Sequence, residues 1–212
     1  MIYSEYTEGM TFSGDLESDV GHFLRHHKEH ETYEHTACVV REAVRIAERF
    51  DADPTLAAQA ALLHDISNVI PKSNMLSTAI SSSIALLEEE YRYEHIVHQK
   101  LSKDMAHQIF GCRDQAVLSA IECHTTLKAG ACLLDKVLFV ADKISWDPPG
   151  EHPYQDHMRA ELEMLDLNGA VLVYLNHVWS QRGKLKLVHP WLIAAREELL
   201  KEETGMPMLR VR

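Results

Sequence analysis

The sequence is short of the features that mark several whole classes of protein. Its four cysteines, Cys38, Cys112, Cys123 and Cys132, form no Cys-x-x-Cys pair and no zinc-ligand spacing, which points to a reduced, cytoplasmic setting. No apolar run approaches the ~18 residues of a membrane helix. The first twenty residues are acidic and polar, without the basic segment and apolar core of a signal peptide. Positive charge is in deficit: 21 Lys and Arg face 32 Asp and Glu, for a formal net charge of -11. That excludes broad binding to nucleic-acid polymers or anionic membranes. It leaves room for a small anionic substrate, because metal ions and a few cationic side chains can make a local positive site. Strand alternation, hairpin signals, repeats and low-complexity segments are absent, which leaves an all-α reading.

What is present is an ordinary globular composition, 46% hydrophobic and 25% charged over 212 residues, enough for one well-buried domain. Residues 1–20 read as a poorly ordered or loosely docked lead-in, and a first helical pattern covers 20–31. From His35, apolar residues Val39, Val40, Ala43, Val44 and Ala47 repeat at helical spacing. Asp53 with Pro54 reads as an N-cap followed by proline at the first helical position, opening a helix to about residue 66. Residues 67–77, with Pro71, read as a loop, and 78–90 as a helix. Further helices are expected over 98–110, 114–123, 133–144, 157–182 and 190–203, with Gly111 as a stop and 146–153 as a rigid loop. The division is 1–30 as lead-in and first helix, 31–203 as one helical domain, and 204–212 as a tail.

Fourteen histidines stand out, since histidine is the commonest metal ligand. His35, His64, Asp65, His98, His124 and Asp142 all lie in or beside apolar helical segments. Residues 60–67 read AALLHDIS, and Asp142 ends the run Val137-Leu138-Phe139-Val140-Ala141. A buried carboxylate without a partner is costly, so each of these positions asks for a cation. Four histidines and two carboxylates suit two ions of intermediate hardness such as iron or manganese. Zinc is compatible but takes fewer ligands per ion. His95 competes with His98, one turn earlier on the same element, and the spacing to His124 favours His98. His22, His26 and His30 share a helix face that could bind a metal and that reads rather as a polar surface. His107 reads as a solvated or packed helix residue, Cys123 as a small core residue, and 88–90 as a solvated helix end.

The ordered set His35-Thr36, Ala61-Leu62-Leu63-His64-Asp65-Ile66, His98, Ala120-Ile121 with His124-Thr125-Thr126, and Leu134-Asp135-Lys136 with Val140-Ala141-Asp142-Lys143-Ile144 resembles the HD-domain metal-dependent phosphohydrolases. It is similar in particular to the bacterial YqeK-type proteins, which include symmetrical diadenosine tetraphosphate hydrolases. The likeness runs from about Tyr33 to Leu199. It implies a helical bundle with a dinuclear site between helices, often iron-containing, with manganese, magnesium and zinc as alternatives. His35, His64, Asp65 and Asp142 would form the core, Asp65 would bridge, and His98 with His124 would complete the second ion. A metal-activated water would attack phosphorus, giving two ADP from diadenosine tetraphosphate, with His64 and Asp65 at the centre of catalysis. The alternatives are another nucleotide or phosphoester as substrate, or a non-catalytic metal- or nucleotide-binding regulator; a homodimer is compatible with either.

The sequence departs from that pattern at Thr32, Asn68, Leu127 and Ser145-Trp146-Asp147-Pro148. Positive charge is expected instead from Lys72, Lys128 and Lys143. Thr125 and Thr126 are candidates to hydrogen-bond phosphate or to cap a helix. Trp146 is a candidate either to plug its loop or to stack on a base.

Overall fold

The computed structural model describes residues 2–146 and 149–205. Among these, every regular element is helical: α1 (Ser4–Thr7), α2 (Leu16–His26), α3 (His30–Arg49), α4 (Pro54–Leu63), α5 (Lys72–Ser81), α6 (Glu88–Arg92), α7 (His98–Gln108), α8 (Gln115–Cys123), α9 (Leu133–Ser145), α10 (Pro153–Glu163), α11 (Leu167–Ser180) and α12 (Pro190–Glu203). Short 3-10 turns cover Ile66–Val69 and Glu94–Val97. No described helix is long and apolar enough to cross a membrane.

Helix α4 lies at the centre, packed against α3, α8 and α9. Its sequence explains why it can. Ala57, Ala60 and Ala61 are wholly buried, and such small side chains let neighbouring helices approach from several sides. Its start is fixed by Asp53, whose carboxylate accepts from Thr55 N and Leu56 N at 2.7 and 3.2 Å, with Pro54 at the first helical position. Asp114 caps α8 in the same way through Ala116 N and Val117 N. Helix α9 carries ten buried residues in thirteen, Leu134 to Ile144 without Lys136. A helix this enclosed must justify its charged residues, and Asp135, Asp142 and Lys143 are all among the buried ones.

The structure departs from the sequence reading in five places. The helix expected over 20–31 breaks where Lys28 takes φ 64°, so His22 and His26 end α2 while His30 opens α3. The lead-in is docked: Tyr3 is 2% exposed and its hydroxyl donates to Asp104 Oδ2 at 2.7 Å. Residues expected as a loop instead form the Ile66–Val69 turn and α5, with Pro71 immediately before the helix. The expected helix over 78–90 is interrupted where Ser83 takes φ 56°, and Glu90 turns inward. Leu87 N and Lys100 Nζ each donate to Glu90 Oε2 at 2.7 Å, and His189 Nε2 lies 3.2 Å from its Oε1. Only Glu88 and Glu89 of that acidic run face water. Finally, the expected helix over 157–182 is two helices. Leu165 takes φ 62°, and Asp166 restarts the chain by accepting from Gly169 N at 2.7 Å.

Candidate metal centre

The local chemistry of helix ends puts three histidines in place. The last carbonyls of a helix lack intrahelical donors. His64 follows α4 directly, and its Nδ1 pairs with Ala61 O at 2.7 Å. His124 follows α8, and its Nδ1 pairs with Ile121 O at 2.9 Å. His98 opens α7, and its Nδ1 pairs with His95 O at 2.7 Å. A carbonyl only accepts, so each Nδ1 carries the proton. That leaves each Nε2 as the ring's donor atom on the interior side, the tautomer a metal ligand needs.

All six candidate ligands converge. Asp65, in the turn after α4, places Oδ2 3.5 Å from His64 Nε2. Its other oxygen, Oδ1, lies 3.3 Å from His124 Nε2 and 3.5 Å from His98 Nε2. From α9, Asp142 Oδ1 lies 3.0 Å from His35 Nε2 and 3.9 Å from His64 Nε2. Two groups have ligand atoms close enough to share a cation: His35, His64 and Asp142, and His64, Asp65 and His124. The His22, His26 and His30 set is not among the metal-capable groups of the described residues.

Three observations test whether these residues fit metal ions. His64 Nε2 is buried without a hydrogen-bond partner, and so is Asp65 Oδ1. Each such orphan costs about 1–3 kcal/mol unless something satisfies it. The Nε2 atoms of His98 and His124 stand 3.1 Å apart, and with both Nδ1 protonated these are two facing lone pairs. A cation relieves all three at once, and the donor set of imidazole and carboxylate is one that binds such ions.

The electrostatics agree. Burial pushes His64 below its ordinary pKa and His98 down to about 3, so both rings are neutral. Burial works to raise Asp65, but His64, His124 and His98 outweigh it and hold the carboxylate well below its usual range. Burial likewise opposes ionisation of Asp142, and the Lys143 ammonium and His35 outweigh that. His35 is pushed up, burial being overcome by Asp142. Both carboxylates are therefore anions: Asp65 faces the neutral rings of His64 and His98, and Asp142 pairs with His35 and the Lys143 ammonium.

The expected substrate contacts divide. Thr125 is half-buried at the edge of the cluster, its Oγ1 3.1 Å from His98 Nε2. Lys72 is exposed at the start of α5 and acts electrostatically on His95, whose ring stacks on His98 at 5.1 Å. The other three residues are otherwise engaged. Thr126 is 2% exposed and bonds Leu127 O and Gln99. Lys128 Nζ binds Ser119 Oγ at 2.8 Å and lies 3.7 Å from Glu122. Lys143 is not a free cation: it is buried, with Nζ 2.6 Å from Asp142 Oδ2 and over the rings of Phe139 and Tyr174. Trp146 is 51% exposed beside His152 rather than plugging its loop; Asp147 and Pro148 lie outside the described residues. Cys123 is buried in the core, where burial pushes its thiol well up.

The sequence reading missed the residues that hold the ligands. Ser67 Oγ donates to His98 O at 2.8 Å, and Ser102 Oγ donates to Ser67 Oγ at 2.9 Å. Gln99 joins α7 to the turn after His124. The signal was adjacency alone: each sits within four residues of a ligand in the chain.

Comparison with known proteins places this geometry in a family. Residues 32–147 match the model of the HD domain. A symmetrical bis(5'-nucleosyl)-tetraphosphatase of Halalkalibacterium halodurans is 30% identical over 181 residues, 85% of this chain and 95% of that protein. A protein of the same name from Bacillus subtilis is 33% identical over 66% of this chain and 73% of its own length. A Lactococcus lactis protein known only as uncharacterized, in the pepC 5' region, is 41% identical over 66% of this chain and 70% of its own. Among solved structures, a Clostridium acetobutylicum protein described as a predicted HD superfamily hydrolase involved in NAD metabolism superposes with TM-score 0.79 at 28% identity, over 87% of this chain and 97% of that one. The buried cluster of histidines and aspartates and these relatives lead to one conclusion: the chain belongs to the HD-domain family and is a phosphohydrolase related to the symmetrical bis(5'-nucleosyl)-tetraphosphatases.

Proposed function

We propose that this phosphohydrolase uses two metal ions to split diadenosine tetraphosphate symmetrically into two ADP. The observation that carries the two-ion reading is the posture of Asp65. Its two oxygens face different histidine groups, His64 on one side and His98 with His124 on the other. His35, His64 and Asp142 would hold one ion, His98 and His124 the other, and Asp65 both. Iron is the ion the resemblance implies; manganese, magnesium and zinc have compatible chemistry.

Metal ions held there would lower the pKa of bound water and offset charge on phosphoryl oxygens. The chain's own residues do the rest. Asp65 and Asp142 stay anionic, so two negative charges hold cations in a protein whose overall charge would repel a polyphosphate. Lys143 orients Asp142 and compensates it. Thr125 and Lys72, at the edge of the cluster, meet the phosphate chain. In symmetrical hydrolysis the bridge between the second and third phosphoryl groups breaks. The water oxygen ends on one of them, and the bridging oxygen leaves with the other ADP. The names of the Halalkalibacterium halodurans and Bacillus subtilis relatives support this substrate.

Product analysis tests it. Metal-loaded protein incubated with diadenosine tetraphosphate should give ADP alone, with ATP and NAD+ as controls. ATP with AMP would mean asymmetric cleavage, and turnover of a control in preference to the dinucleotide would assign another nucleotide substrate.

A further inference from the structure

We infer that Gln99 is a positioning residue that sets the separation of His98 and His124 and thereby the affinity of the centre for its second ion. The inference rests on the two-ion reading above. The two rings come from different helices, His98 from the first position of α7 and His124 from the end of α8. Helix packing alone tolerates shifts far larger than the ~0.2 Å within which metal–ligand distances must fall. Some local link must set the gap.

Gln99 has the bonds for it. It is wholly buried. Its Oε1 accepts from Thr125 N at 3.2 Å, and its Nε2 donates to Thr126 Oγ1 at 3.2 Å. The Thr126 hydroxyl donates onward to Leu127 O at 2.9 Å. Gln99 adjoins His98 in the chain, and Thr125 adjoins His124. One amide side chain therefore spans the gap one residue away from both ligands. A buried amide costs stability unless its oxygen and nitrogen are both bonded, and here both are. The bridge also braces a tight turn: Leu127 takes φ 55°, a conformation that a branched side chain adopts only when its surroundings hold it there.

The first ion should not depend on this bridge. His64 is oriented by Ala61 O and Asp142 by Lys143, and neither contact involves Gln99. The Ser67–Ser102 link holds the carbonyl of His98 and ties α7 to the turn carrying Asp65, so His98 keeps its helix when Gln99 is lost. Only the relation between the two rings should loosen.

The experiment is a manganese titration of metal-stripped chain, with helical content followed by circular dichroism. The variants are Gln99→Met, Thr126→Val and the conservative Thr126→Ser. Wild type should bind two ions. Gln99→Met and Thr126→Val should bind the first with unchanged affinity and the second about 10–100-fold more weakly, and Thr126→Ser should bind both as wild type does. If Gln99→Met does not fold, Thr126→Val decides. Two ions at wild-type affinity in the folded variants would overturn the role of Gln99 alone. Equal loss of both ions with helical content intact would overturn it too, by making the bridge a general support. A wild-type chain that binds a single ion would overturn the two-ion reading and this inference together.

Discussion

Lys143 Nζ lies 2.6 Å from Asp142 Oδ2, a buried ion pair between neighbours on one helix. Adjacent helical side chains diverge by about 100° and do not ordinarily meet. Here the ammonium lies over the rings of Phe139 and Tyr174 and supports a carboxylate of the metal centre. Breaking one side of such a pair leaves a buried charge alone, at a cost of about 3–5 kcal/mol. Lys143→Met should therefore lower the melting temperature of the metal-free chain sharply. Added metal should recover part of the loss, because an ion is a second partner for Asp142. Thermal unfolding with and without metal checks this. An unchanged metal-free melting temperature would reduce Lys143 to a bystander.

Asp65→Ala should abolish metal binding and hydrolysis together, and His64→Ala should remove at least the ion held with His35 and Asp142, and hydrolysis with it. His64 belongs to both metal-capable groups, and the Asp65 oxygens face both sets of histidines. Elemental analysis beside the activity assay reads both losses. Full metal content in both inactive variants would break the ligand assignment.

Glu90 supplies a pH dependence outside the centre. Burial acts to raise its pKa, but His189, Lys100 and the Leu87 amide outweigh that and lower it below 4.5. A carboxyl whose folded pKa is depressed contributes stability that is fully present above its unfolded value and lost as pH falls through the folded one. Wild type should lose stability below about pH 4.5, where Glu90→Gln, already without the charge, loses less. Melting curves across that range compare the two, and parallel pH dependence would rule out a contribution from Glu90.

Tyr3→Ala should destabilise the chain by about 3–5 kcal/mol, the range for removing a buried aromatic ring, with the hydrogen bond to Asp104 lost as well. Denaturant unfolding measures it. A change under about 0.5 kcal/mol, the range for exposed sites, would mean that the lead-in is only loosely attached.

The sequence showed the ligands more clearly than their supports, for a physical reason. His64, His124 and Asp142 are strongly polar residues at the ends of apolar runs, and that contrast is visible without a fold. Asp53 with Pro54 marked the start of α4 because capping chemistry is local. Gln99, Ser67 and Ser102 carry no such contrast, and their partners lie 26 to 35 residues away. Lys143 looked like a substrate cation because nothing in a linear sequence says that its ammonium pairs with Asp142. The inward turn of Glu90 depends on Lys100 and His189, the latter brought from the far end of the chain. The break before α11 is legible in the sequence, since Asp166 is a capping residue three positions before Gly169, whose N–H it accepts.

The most direct measurement is anomalous diffraction at the iron or manganese edge from crystals of the metal-loaded chain. Two peaks should appear, one at coordinating distance from His35, His64 and Asp142, the other from His98 and His124, with an oxygen of Asp65 on each. A single peak, or a pair that leaves His98 and His124 uncoordinated, would contradict the dinuclear centre.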